Sequence, residues 1–185
     1  ALRAQLAERE ARTELERSRV TELSKANAVM RGSLDALADA PDEALYIERT
    51  LVALNEQAGA RKTYLFRCSA TDSVLHLLGS AEGGVFSPEG QAGDPPLFKR
   101  GHFLPPLVLR EMMSSGMPVW RRFDAATAPQ TYCPDILDWH VRLSNAANAK
   151  QALMVGRRCV GVVAMVFDHA EPLTPAQQEL QCALC

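Results

Sequence analysis

The sequence predicts an α+β chain, with antiparallel hairpins and helices following one long N-terminal helix. Three observations carry that expectation. The runs Gln151-Ala-Leu-Met-Val155 and Cys159-Val-Gly-Val-Val-Ala-Met-Val-Phe167 flank Gly156-Arg157, the pattern of a tight hairpin between buried strands. Thr174-Pro-Ala-Gln177 opens a helix, with Thr174 as cap, Pro175 at the first position and Gln177 placed to close a capping box. Residues 1–39 contain no Pro and many strong helix formers.

In that first helix a heptad places Leu6, Thr13, Val20, Asn27 and Leu34 on one seam position. Leu2, Arg9, Glu16, Leu23, Met30 and Leu37 fall on the other. The seam predicts a two-stranded coiled coil in which Asn27 sets register. The competing expectation is a single amphipathic helix packed on its own domain. Asp39-Ala-Pro41 breaks this helix and begins another, with Leu45, Ile47, Leu51, Val52 and Leu54 on its apolar side and Gly59 at its end.

Residues 61–68 alternate as a strand, with Thr63, Leu65 and Arg67 on one face and Tyr64, Phe66 and Cys68 on the other. Ser69-Ala-Thr-Asp72 turns the chain into a second strand over 73–80, giving a hairpin. Residues 81–104, rich in Gly and Pro, read as a long mobile loop. Pro105-Pro106 opens a helix through Leu109, Met112 and Met113, closed by Ser115-Gly116. Pro118 to Phe123 is a short strand, 124–133 a loop, and 134 to about 147 a helix bearing Ile136, Leu137, Trp139, His140 and Leu143. The terminal hairpin and helix follow.

Composition excludes several function classes. Among 185 residues, 20 Lys+Arg against 22 Asp+Glu leave a net charge of −2, with no global pull toward nucleic acid or an anionic membrane. Aromatic residues are few, which argues against a base-stacking surface. No apolar run reaches the roughly 20 residues of a membrane helix. The chain begins at Ala1 in charged helix, which reads as a fragment of a longer protein without a visible signal peptide. Cys68, Cys133, Cys159, Cys182 and Cys185 form no regular framework, so reduced thiols and a cytoplasmic setting are expected.

In its order of elements the chain resembles the GAF domain family of bacterial signalling proteins. The resemblance rests on Gln57-Ala-Gly-Ala-Arg61, Ser115-Gly-Met-Pro-Val119, Val160-Gly-Val-Val163 and Leu173-Thr-Pro-Ala-Gln-Gln-Glu179, and covers about residues 40–185. The helix through Glu22-Leu-Ser-Lys-Ala-Asn27 and Leu34-Asp-Ala-Leu37 resembles the linker before such domains in multi-domain sensor histidine kinases. The likeness implies a five- or six-stranded antiparallel sheet, with the first and last helices on one face and a ligand pocket on the other. Two units follow: a signalling helix over 1–39 and a sensory domain over 40–185.

Family ligand signatures are not met. Asn145 is not followed by Lys, and neither Phe123-Asp124 nor Phe167-Asp168 is followed by Glu, which disfavours a cyclic nucleotide. Cys133 stands seven residues before His140 rather than beside a His, which disfavours a bilin attachment. Haem needs only one axial His, and His140 on the pocket-roofing helix is a candidate, although a lone His beside Trp139 and Leu143 is more often a hydrogen-bonded wall residue. Cys182-Ala-Leu-Cys185 has CxxC spacing but no second pair, so two small residues facing the core is the plainer reading. No phosphate loop or Ser/His/Asp motif is present, and the cysteine pattern of methionine sulfoxide reductases is absent, so no enzyme is expected here.

By fold position and the apolar lining such pockets have, the expected ligand-binding residues are Tyr64, Phe66, Trp120, Arg122, Phe123, Tyr132, Trp139, His140 and Met154. A pocket-edge cation from Arg121, Arg122 or Arg142 would favour an anionic ligand. The expected function is small-molecule sensing in a parallel homodimer, with an output domain beyond Cys185. No cofactor is named by the sequence. The alternatives are a ligand-free dimerisation and relay module, or a haem or redox sensor.

Overall fold

The computed structural model describes residues 7–18, 20, 21, 24, 28, 42–68, 74–123 and 132–184. Residues 7–18 are helical and exposed along their length, Leu15 included at 72%. This stretch therefore does not bury a face on the domain. Arg12 and Glu16 pair along it at 3.3 Å. Most of the predicted seam, including Asn27 and Leu34, lies outside the described residues.

Helix α1 (Glu43–Gln57) starts one step later than the sequence suggests, because Asp42 caps it by accepting from the Ala44 amide at 3.0 Å. Ile47, Thr50, Leu51, Ala53, Leu54 and Asn55 are its buried residues. Strands β1 (Lys62–Cys68) and β2 (Val74–Glu82) form the expected hairpin. The stretch that reads as loop is structured instead: β3 (Val85–Ser87), α2 (Pro96–Arg100) and β4 (His102–Phe103). Gly83 and Gly84, both at positive φ, turn β2 directly back into β3, a conformation costly for any residue with a Cβ. Buried Asn55 accepts from the Gly84 amide at 2.9 Å and donates to the Ala60 carbonyl at 2.6 Å, pinning that turn to the end of α1.

Helix α3 (Pro106–Ser115) ends at Gly116 in the left-handed conformation, then β5 (Val119–Arg122) follows. Helix α4 (Pro134–Arg142) stops short of the expected end near 147. Ser144 takes φ 52°, the Asn145 amide closes onto the His140 carbonyl at 3.0 Å, and the chain enters β6 (Ala147–Val155). Ala147-Asn-Ala-Lys has good helix formers, but this segment pairs with β5 on one side and β7 (Arg158–Phe167) on the other. A strand with both neighbours in place overrides weak local preference. Helix α5 (Pro175–Leu184) closes the fold, and its capping box forms as expected: Thr174 N–H to Gln177 Oε1 at 2.9 Å, Gln177 N–H to Thr174 Oγ1 at 3.3 Å.

The sheet is antiparallel in the order β3-β2-β1-β7-β6-β5, with β4 added beside β2. It has seven strands rather than five or six, the surplus coming from the stretch expected as loop. Strand alternation separates two apolar layers. Leu65, Val163, Met165 and Phe167 face α1 and Leu173, while Tyr64, Phe66, Val162, Ala164 and Val166 face α2, α3 and α4. Gly161 sits where a Cβ would meet the Phe66 carbonyl oxygen at 2.8 Å, so β1 and β7 approach closely there. Gln177 donates to the Ala58 carbonyl at 2.9 Å, tying α5 to the end of α1 on the face opposite α4. Among the described residues no helix is long and apolar enough to cross a membrane.

Candidate functional site

Between the sheet and α2–α4 lies a cavity of about 40 Å³. Its floor is β1, β6 and β7, from which Tyr64, Phe66, Asn148, Lys150, Val162, Ala164 and Val166 rise. Its roof is Phe98 of α2, His102, Leu104, and Ile136, Trp139 and His140 of α4.

The aromatic walls interlock. Phe98 meets Tyr64 and Phe66 edge-on at 5.3 Å each and Trp139 at 5.6 Å. Phe66 meets His102 at 5.0 Å. Tyr64 is held from its far end, where its hydroxyl donates to Asp94 Oδ1 at 2.7 Å. The same carboxylate takes the buried Lys62 ammonium at 3.1 Å, and Glu82 takes it at 3.0 Å. Burial, followed by the Asp94 carboxylate, raises the Tyr64 pKa, so the phenol keeps its proton.

His140 is buried at 3% exposure, with Phe123 at 3.8 Å and Tyr132 at 5.3 Å between ring centroids. Its Nδ1 accepts from the Asn145 amide at 3.1 Å, which leaves the ring proton on Nε2. Burial drives its pKa down to about 2, and that of His102 to about 4, with the Lys150 charge adding to both. Both rings are neutral at physiological pH.

Lys150 is the charged group on this wall. Its ammonium lies 4.4 Å over the Tyr132 ring, and Tyr132 accepts a hydrogen bond from the Asn148 amide. Burial, then repulsion from Arg121, lowers the Lys150 pKa to about 8. Arg121 is itself paired with Glu111 of α3. Among the described residues no carboxylate pairs with Lys150. Three other polar atoms of the lining, His102 Nδ1, Trp139 Nε1 and Asn148 Oδ1, are buried without a hydrogen-bond partner.

The structure thus brings Tyr64, Phe66, Trp139 and His140 to the cavity wall. Phe123 and Tyr132 stand behind His140 in the same apolar cluster. Trp120 is on the other face of the sheet, 4.9 Å from the Phe167 ring, because its register partner Ala149 points that way. Arg122 is exposed and donates to the Ala170 carbonyl at 3.0 Å, and Arg142 is exposed as well. Met154 is at the far end of β6 and 38% exposed. Trp120, Arg122 and Met154 therefore do not line this cavity.

Phe98, His102, Leu104, Asn148 and Lys150 were not expected. The first three fall in the stretch that reads as loop, and the last two between the expected helix end near 147 and the expected strand start at Gln151. The period-two pattern Ala147-Asn-Ala-Lys150, small residues alternating with polar ones, was the available signal. Cys182 lies 3.6 Å from Met117 Sδ, and Cys185 lies outside the described residues. A tetrapyrrole at His140 would require the walls to move apart, given the cavity volume.

No protein-family model and no curated protein matches this sequence. Solved structures do match in shape. The GAF domain of a phosphoenolpyruvate-protein phosphotransferase from Coxiella burnetii superposes with a TM-score of 0.58 at 13% identity, over 87% of this chain and 88% of that one. The phycocyanobilin-bound GAF domain of a cyanobacterial phytochrome gives 0.63 at 10% identity, over 86% and 89%. The chromophore-binding domain of Stigmatella aurantiaca phytochrome P1 gives 0.59 at 13% identity, over 86% of this chain but 57% of that one. With its antiparallel sheet, terminal helices on one face and cavity on the other, this chain has the GAF-domain fold.

Proposed function

We propose that this is a regulatory domain that senses a small molecule in the cavity beneath α4 and passes its state to the terminal helices. The observation that carries the reading is the double role of β7. Val162, Ala164 and Val166 line the cavity, while Val163, Met165 and Phe167, from the same strand, pack on the face that holds α1 and Leu173 before α5. A ligand that shifts the first set moves the second, because the interior is close-packed. It transmits a signal only to the extent that it binds one helix arrangement better than the other. That a cyanobacterial phytochrome GAF domain of the same fold is phycocyanobilin-bound supports a ligand-binding role for this domain.

In this reading the domain works as a cytoplasmic parallel homodimer through its first and last helices, ahead of an output domain such as a histidine kinase. The exposed helix over 7–18 supports a partner helix there. Native mass spectrometry after incubation with bacterial extract tests both parts. A dimer with a stoichiometric small-molecule adduct is expected; a bare chain after such incubation overturns sensing, and a monomer overturns the coiled coil. The interlocked Tyr64, Phe66, Phe98 and Trp139 rings favour a second reading, a relay module whose own side chains fill the pocket. That reading predicts a bare dimer.

A further inference from the structure

Lys150 is the feature the sensory reading leaves unexplained. A cation on a cavity wall that is otherwise apolar and aromatic is unfavourable unless an anion meets it. Arg121 is engaged by Glu111, and His102 and His140 are neutral, so among the described residues the wall offers one positive charge. Around it stand three polar atoms without a partner: Trp139 Nε1, a donor, Asn148 Oδ1, an acceptor, and His102 Nδ1, which takes either role according to tautomer. The floor beside it, from Phe66, Val162, Ala164 and Val166, is hydrocarbon and offers nothing to a second charge.

Resting on the sensory reading, we propose that the ligand is a short-chain monocarboxylate whose carboxylate pairs with Lys150 and whose carbon chain lies against β7. One cation selects one negative charge. The apolar floor selects a carbon tail over an inorganic oxyanion, whose outer oxygens would go unsatisfied there. The volume of about 40 Å³ limits that tail to a few carbon atoms.

The test is a titration of the Trp120→Phe protein, in which Trp139 is the remaining tryptophan, with acetate, propionate and butyrate. Propionamide and butyramide serve as uncharged isosteres, and nitrate and phosphate as anions without a tail. Tryptophan emission reports binding and native mass spectrometry its stoichiometry. One propionate or butyrate per chain is expected, with the amides weaker by about 30-fold, the worth of a charge-assisted hydrogen bond in a half-buried site. Lys150→Met should show the same loss, while Lys150→Arg retains most of the affinity.

Amides that bind as well as the acids, or nitrate or phosphate that binds better, would overturn the monocarboxylate assignment and leave sensing standing. Undiminished carboxylate binding by a folded Lys150→Met protein would do the same. No binding by either series, with an adduct acquired from extract, removes only the ligand class. No binding and no adduct removes both.

Discussion

Replacing Lys150 by Met should stabilise the domain. In the unfolded chain the ammonium has its ordinary pKa of 10.5; in the fold burial lowers it to about 8. That difference is worth at most about 3 kcal/mol against the folded state at neutral pH. The side chain is only half-buried and the ammonium rests on the Tyr132 ring, so about 2 kcal/mol is the working figure. For a domain of this size that raises Tm by about 4–8 °C. The pH dependence separates this from a packing effect. Because the folded pKa is the lower one, the penalty is complete below pH 8, and it fades as pH rises toward 10.5 and the unfolded chain also loses its proton. Calorimetry of the wild type and Lys150→Met at pH 7 and pH 10 should show a gap that shrinks by more than half. A destabilised variant, or a gap that does not change with pH, refutes the argument. A residue that lowers stability while lining a cavity is the expected signature of function over packing.

Other perturbations have defined outcomes. Asp94→Ala leaves the Lys62 ammonium, 3% exposed, with Glu82 alone and frees the Tyr64 hydroxyl, so chemical denaturation should report a loss of about 3 kcal/mol. Thr174→Ala removes half of the capping box and should cost about 1 kcal/mol, read as a lower Tm, with added mobility of α5 by hydrogen exchange. On acidification the unfolded chain protonates its histidines near pH 6.5 while folded His102 and His140 resist until about 4 and about 2. Stability should therefore fall with pH below 6.5, by about 1.4 kcal/mol per unit for each of the two. His140→Gln should lower that slope by one proton, and an unchanged slope would mean that His140 is protonated in the fold.

Much of the fold was legible locally, and its legible parts share a cause. The β6–β7 hairpin, the Thr174 capping box and the two faces of β1 depend on neighbours within a few residues, where Gly156, Thr174 and the Tyr64/Leu65/Phe66 alternation act. The cavity residues Tyr64, Phe66, Trp139 and His140 were readable because bulky aromatic side chains on a strand and a helix must be buried against something.

What only the tertiary structure decided depends on partners distant in sequence. Residues 147–150 are a strand because β5 and β7 pair with them, and that alone turns Asn148 and Lys150 into the cavity. The stretch from 85 to 103 gains β3, α2 and β4 because β2 offers an edge and the buried face of β1 offers Phe98 a site. Trp120 left the expected site for the same kind of reason: the β5–β6 register sets its face, and its own sequence does not. Apolar patterning thus determined which residues are buried, while strand pairing determined where the charge of Lys150 would stand.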